Sequence, residues 1–158
     1  MAENLTIEPL LRVSRVAGTN LTGSRFVTMS SGKAVVCGLN GQAFGVLEDD
    51  ILAGQHASII ASGFAIVEVG SGGVTENAHV TSDAAGKAIA AAAISATATL
   101  ANAVIPSGAT PVTSSGAQPT LTITQPTITM AGGSPAVKIN GIAQATVAEN
   151  GFVLVKLI

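Results

Sequence analysis

The chain predicts a mainly β domain, and three observations predict it. From Ser24 to Val69, short apolar runs rich in Val and Ile recur about every ten residues, parted by glycines. The same order of pieces returns later in the chain, as though one β unit were written twice. The apolar residues, 47 % of the total, include only four Phe and neither Tyr nor Trp, so the core must be built from small branched side chains that suit pleated sheets. The expected fold is a small barrel or sandwich with an extended N-terminal arm and a β-rich insertion.

Residues 1–22 read as the arm. Their alternation is irregular, with Pro9, Gly18 and Asn20 as punctuation, which allows at most one strand. The single β domain then runs over 23–158. Expected strands are Arg25 to Met29, Ala34 to Cys37, Ala43 to Leu47, Ala57 to Ile60 and Phe64 to Val69. The turn Gly70-Ser71-Gly72-Gly73 leads into a second hairpin, Val74 to Ile89. An insertion follows at about 92–135, in a stretch from 88 to 137 that has no charged residue. Its Thr120 to Met130 part alternates like an edge hairpin broken by Pro126, and an uncharged edge invites another chain. Ala136 to Gly141 returns to the domain, and Phe152 to Ile158 is expected as a docked last strand.

The repeat is anchored by two hairpins closed by Gly-Lys, Val27-Thr28-Met29-Ser30-Ser31-Gly32-Lys33 and Val80-Thr81-Ser82-Asp83-Ala84-Ala85-Gly86-Lys87. Gly45-Val46-Leu47 with a turn at Ala53-Gly54 follows the first. Gly141-Ile142-Ala143 with a turn at Asn150-Gly151 follows the second. The hairpin glycines lie 54 residues apart and the later glycines 96, so the second copy holds about 42 extra residues.

Composition excludes several functions. Charged residues are 10 % of the chain, against about a quarter in ordinary soluble domains, and mean hydropathy is +0.56. A surface so poor in charge is expected to be covered by sister subunits or a partner. With seven Lys plus Arg and a net charge of −2, no phosphate-tracking surface is expected, hence no nucleic-acid partner. The run Ala88 to Ile105 is too diluted by small and polar residues for a membrane span. The lone Cys37 excludes an intrachain disulfide and reads as a buried small hydrophobe. Residues 1–4 lack signal-peptide character, which points to synthesis in a cytoplasm.

No catalytic constellation emerges. His56 and His79 have no ligand-spaced carboxylate or thiol beside them, and Glu48-Asp49-Asp50 reads as a solvated turn. No serine sits in Gly-x-Ser-x-Gly, and the Gly-Lys pairs lack phosphate-loop spacing, so Lys33 and Lys87 read as hairpin residues. The expectation is a non-enzyme without metal, cofactor or small-molecule substrate.

Residues 45–91 resemble the small head-decoration, or capsid cement, proteins of tailed bacteriophages, lambda-like members included. The likeness rests on Gly45, Val46, Asp49, Asp50, Ala53, Gly54, Val67, Val69, Val80 to Asp83, Gly86 to Ala88, and the terminal Val153 to Leu157. Two departures are the size of the insertion and Asn77-Ala78 where that family often has glycine. The resemblance implies a β-tulip-like fold, a homotrimer on the outer surface of the virion capsid, and an arm ordering against the major capsid protein. It assigns the arm's role to the region around Thr6 to Val16, where contacts by Leu5, Ile7, Leu10, Leu11 and Val13 are expected, with deletion of residues 1–15 abolishing head binding and leaving the core folded. A tail-tip, fibre or adhesin module is the alternative, motivated by the Thr-rich stretch from Pro111 to Met130. A small hydrolase with an unmarked Ser or Asp site is a third reading.

Overall fold

In a computed structural model, residues 7–91 and 137–158 are described, and they form nine β-strands and no helix. The strands are β1 (Glu8–Val16), β2 (Phe26–Ser30), β3 (Lys33–Val36), β4 (Gly45–Leu47), β5 (His56–Glu68), β6 (His79–Ser82), β7 (Ala88–Ala90), β8 (Gly141–Ala143) and β9 (Phe152–Leu157). All pair antiparallel in one curled sheet, so the mainly β expectation holds. The insertion read at 92–135 lies outside the described residues.

The sheet is a duplication in which β5 serves twice. In the first repeat β1 pairs the first half of β5, β5 pairs β4, β4 pairs β2 and β2 pairs β3. In the second, the last part of β5 pairs β9, β9 pairs β8, β8 pairs β6 and β6 pairs β7. The registers coincide: Val27 faces Gly45 as Val80 faces Gly141, and Val46 faces Ile60 as Ile142 faces Lys156. Each repeat curls back on its own first strand through one parallel bridge, Ala17 to Ala34 and Val69 to Ala88. Leu21 bridges Ile51 as Val74 bridges Val147.

Both hairpin turns use residues able to take positive φ. Ser31 and Gly32, at 48° and 77°, close β2–β3 as a two-residue turn, the class whose twist suits adjoining strands. The β6–β7 turn is one residue longer and places Gly86 at 80°. Strand equivalences are therefore 53 residues before the turn (Val27 to Val80) and the expected 54 after it (Ala34 to Ala88). The large insertion occupies the second repeat's counterpart of the β3–β4 connection.

Two sequence expectations change. Ala57 to Ile60 and Phe64 to Val69 join as one strand, because Gly63, at φ 101°, accommodates a bulge rather than a turn. The span read as an arm holds the one strand allowed for it, Glu8–Val16, and what changes is the expected tolerance of its loss, because that strand is paired with β5. Removing residues 1–15 strips a strand from the sheet, so the core is not expected to survive it.

Each repeat buries the same core. Ala17, Leu21, Val27, Ala34, Leu47, Ala57 and Ile59 pack together in the first. Their counterparts Val69, Val74, Val80, Ala88, Ala143, Val153 and Val155 pack together in the second. Phe26, Cys37, Val46 and Ile60, from the reverse face of the first repeat's sheet, join that second cluster. The repeats thus share apolar burial, the main favourable term in folding, and behave as one body.

Candidate docking surface

The arm residues singled out in the sequence lie at different depths. Leu5 is outside the described residues. Ile7, just before β1, is exposed; Leu10 is 84 % exposed and Leu11 53 % exposed. Val13 is half-buried opposite Ile59. Exposure of two consecutive large aliphatics on a strand breaks the alternation that normally turns one of them inward.

The bulge is the cause. Pro9 faces Gly63 and Leu11 faces Ser62, which leaves Leu10 as the extra residue without a partner. Gly63 makes this possible: a Cβ there would lie 2.5 Å from Glu8 O and 2.6 Å from Leu10 N. No side chain fits that gap, and the positive φ disfavours one as well. Bulges commonly re-aim a side chain at a sheet edge, and this one turns Leu10 to solvent.

Polar contacts hold the strand around these leucines. Arg12 Nη2 pairs with Glu48 Oε1 at 2.7 Å, and Ser58 Oγ donates to the same carboxylate. The Arg15 guanidinium lies 5.9 Å from the Phe44 ring centroid, within cation–π range. Asp50 Oδ1 accepts from the Gly23 amide at 2.8 Å. Two members of the acidic run 48–50 are therefore engaged in holding strands and loops, while Asp49 is exposed.

A second polar cluster ties the repeats together. Glu68 accepts from Arg25 Nη2 at 2.5 Å through Oε2 and pairs with Lys87 Nζ at 2.7 Å through Oε1. These contacts hold its carboxyl below the usual range, the Lys87 hydrogen bond acting most strongly, helped by the Arg25 charge against the cost of desolvation. Lys87 also donates to Asn150 Oδ1, and Arg25 Nη1 donates to Ala85 O. The Phe26 amide donates to Gly86 O at 2.7 Å. Sequence reading placed Lys33 and Lys87 on hairpins; it did not find that Lys87 shares Glu68 with Arg25 of the first repeat, for nothing in the local pattern signals it.

The remaining candidates are dispersed. Cys37 is buried, its backbone carbonyl accepts from Ser82 Oγ at 3.0 Å, and burial pushes its thiol up. His56 and His79 are both exposed and lie on different strands. Among the described residues no three His, Cys, Asp or Glu side chains converge as metal ligands. No described helix is long and apolar enough to cross a membrane. Two shallow grooves, about 330 and 350 Å³, lie at equivalent places beside the Leu21–Ile51 and Val74–Val147 bridges. The first is lined by Asn20, Asp50 and Gln55, the second by Gly73, Thr146 and Val147.

No protein-family profile and no curated protein matches the sequence. Among solved structures, the chain is similar to the head fiber gp8.5 N base of bacteriophage phi29, at 13 % identity. The match covers 94 % of this chain and 93 % of that one, with a TM-score of 0.57. The likeness is one of fold, a curled antiparallel β domain spanning almost the whole of each chain.

Proposed function

We propose that this protein is a non-enzymatic structural component of a phage head. In this reading it decorates the outer surface of the capsid and stabilises it by bridging major capsid protein subunits. The observation that carries the proposal is the fold likeness to a head fibre base over nearly the full chain. Leu10 and Leu11, presented by the β1 bulge, supply the apolar anchor. Contacts that are weak singly add up when made at many identical sites on a lattice.

The test is co-sedimentation of the purified chain with mature heads that lack it. Saturable binding in a lattice-related ratio, with heads gaining resistance to heat, supports decoration; absence of binding overturns it.

A second reading, the base of a projecting fibre, is favoured by the same likeness, because the similar structure is itself a fibre base. Electron microscopy of saturated heads separates the two: a low layer belongs to a cement, and a projecting rod to a fibre.

A further inference from the structure

The two repeats build the same shallow groove on the same backbone. Leu21 and Ile51 exchange amide bonds as Val74 and Val147 do. Gly54 donates to Ala17 O as Asn150 donates to Val69 O, and the Ala17 amide donates to Gln55 O as that of Val69 donates to Gly151 O. The Gln55 amide donates to Leu52 O as that of Gly151 donates to Ala148 O. These bonds set the counterparts: Asn20 with Gly73, Asp50 with Thr146, Leu52 with Ala148 and Gln55 with Gly151. With small side chains at all four places the second repeat keeps every one of these backbone bonds, so the fold does not require the larger side chains of the first.

One duty is common to both grooves. Asp50 Oδ1 accepts from the Gly23 amide at 2.8 Å, and Thr146 Oγ1 accepts from the Glu76 amide at 3.0 Å. A hydroxyl suffices for that bond, and the carboxylate leaves its second oxygen over. Asn20 Oδ1 accepts from the Ala53 amide at 3.0 Å, and Gln55 Oε1 from the Leu52 amide at 3.3 Å. Each of the three side chains is thus fixed through one atom. Asn20 Nδ2, Gln55 Nε2 and Asp50 Oδ2 make no hydrogen bond among the described residues.

Two amide donors, one carboxylate acceptor and Leu52, 61 % exposed, therefore line a groove of about 330 Å³. That volume lies at the small end of ligand sites and suits a single ring. Ring hydroxyls both donate and accept, which matches amides set beside a carboxylate, and an aliphatic side chain suits the C–H face of the ring. No described lining residue is Lys or Arg, and Asp50 repels anions, so the matching ligand is neutral.

We propose that the first repeat's groove is a carbohydrate-binding site, taking one neutral sugar ring with Asn20, Asp50 and Gln55 on its hydroxyls and Leu52 against its carbon face. Affinity for a single ring is weak, about 1 mM, as expected for a ligand of about a dozen heavy atoms. Copies arrayed on one particle raise it where the sugars are arrayed too. Head attachment was assigned to Leu10 and Leu11, which lie outside this groove, so either reading can fail without the other.

Saturation-transfer NMR of the full chain with the methyl glycosides of glucose, galactose, mannose and N-acetylglucosamine tests this. Transfer to the ring protons of at least one sugar is expected. A variant given the second repeat's residues, Asp50→Thr with Leu52→Ala and Gln55→Gly, should keep its circular dichroism and lose about tenfold or more in affinity. Asp50→Thr alone retains an acceptor for the Gly23 amide and should cost about fivefold. Absence of transfer to every sugar, or transfer that persists undiminished in both variants, would overturn the proposal.

Discussion

Gly45 and Gly141 hold the same place in the two repeats, and each is pressed against the strand that follows it. A Cβ on Gly45 would fall inside contact distance of Ile60 O, and one on Gly141 would lie 2.6 Å from Lys156 O. Neither has positive φ, so close approach of backbone to backbone is what requires glycine here. Gly45→Ala and Gly141→Ala should each destabilise the fold by about 1–3 kcal/mol, the usual range for overpacking. Gly38→Ala, with open space around it, is the control and should be near neutral. Urea unfolding of the three variants checks the difference.

Much of this duplication was legible from the sequence, because turns and close approaches demand particular residues. The Gly32-Lys33 and Gly86-Lys87 turns and the Gly45 and Gly141 approaches recur for steric reasons, and that recurrence exposes the repeat. The merger of two expected strands into β5 was not legible, since Gly63 reads equally as a turn or a bulge until its partner strand is known. Irregular alternation around Leu10 has the same origin: a bulge breaks period two, and the span then looks like an arm. The Arg25–Glu68–Lys87 cluster joins residues far apart in the chain, and only tertiary pairing brings them together.

Glu68 should make stability depend on acid. Its carboxyl is held below its ordinary value in the folded protein, so its contribution is present above the unfolded value and fades as pH falls through the folded one. Because the cluster is partly open to solvent, Glu68→Gln should cost only about 1–2 kcal/mol at pH 7. The gap between wild type and variant should shrink below about pH 4, near the ordinary carboxylate range. Thermal melts of both from pH 3 to pH 7 check the convergence; a constant gap would show that Glu68 acts by shape alone.

Thr81 presents the opposite case. Its hydroxyl is buried on β6 without a hydrogen-bond partner among the described residues, while Ile89 faces it across the hairpin. An unsatisfied buried hydroxyl is a standing cost, and Val is nearly its shape with equal liking for strands. Thr81→Val is expected to stabilise the protein by about 1 kcal/mol, seen as a higher urea midpoint at unchanged slope.

Cys37 should be silent until the fold opens. It is fully buried where the two repeats meet, and burial disfavours the thiolate that reacts. A thiol reagent is expected to label the native chain only at the rate of opening and to label it at once in denaturant. Rapid labelling of folded protein would mean that the seam between the repeats opens readily.

The β1 strand separates folding from docking. Deleting residues 1–16 removes the partner of the first half of β5 and uncovers Ile59 and Ile60, both buried, so loss of the folded state is expected. Leu10→Asp makes the sharper test, because Leu10 is the unpaired residue of the bulge and points to solvent. Substitution there should shift stability by no more than about 0.5 kcal/mol. If Leu10 anchors the chain to heads, the same change puts a charge into an apolar contact and should weaken co-sedimentation at least about tenfold. Folded Leu10→Asp protein that binds heads as wild type does would move the anchor away from β1.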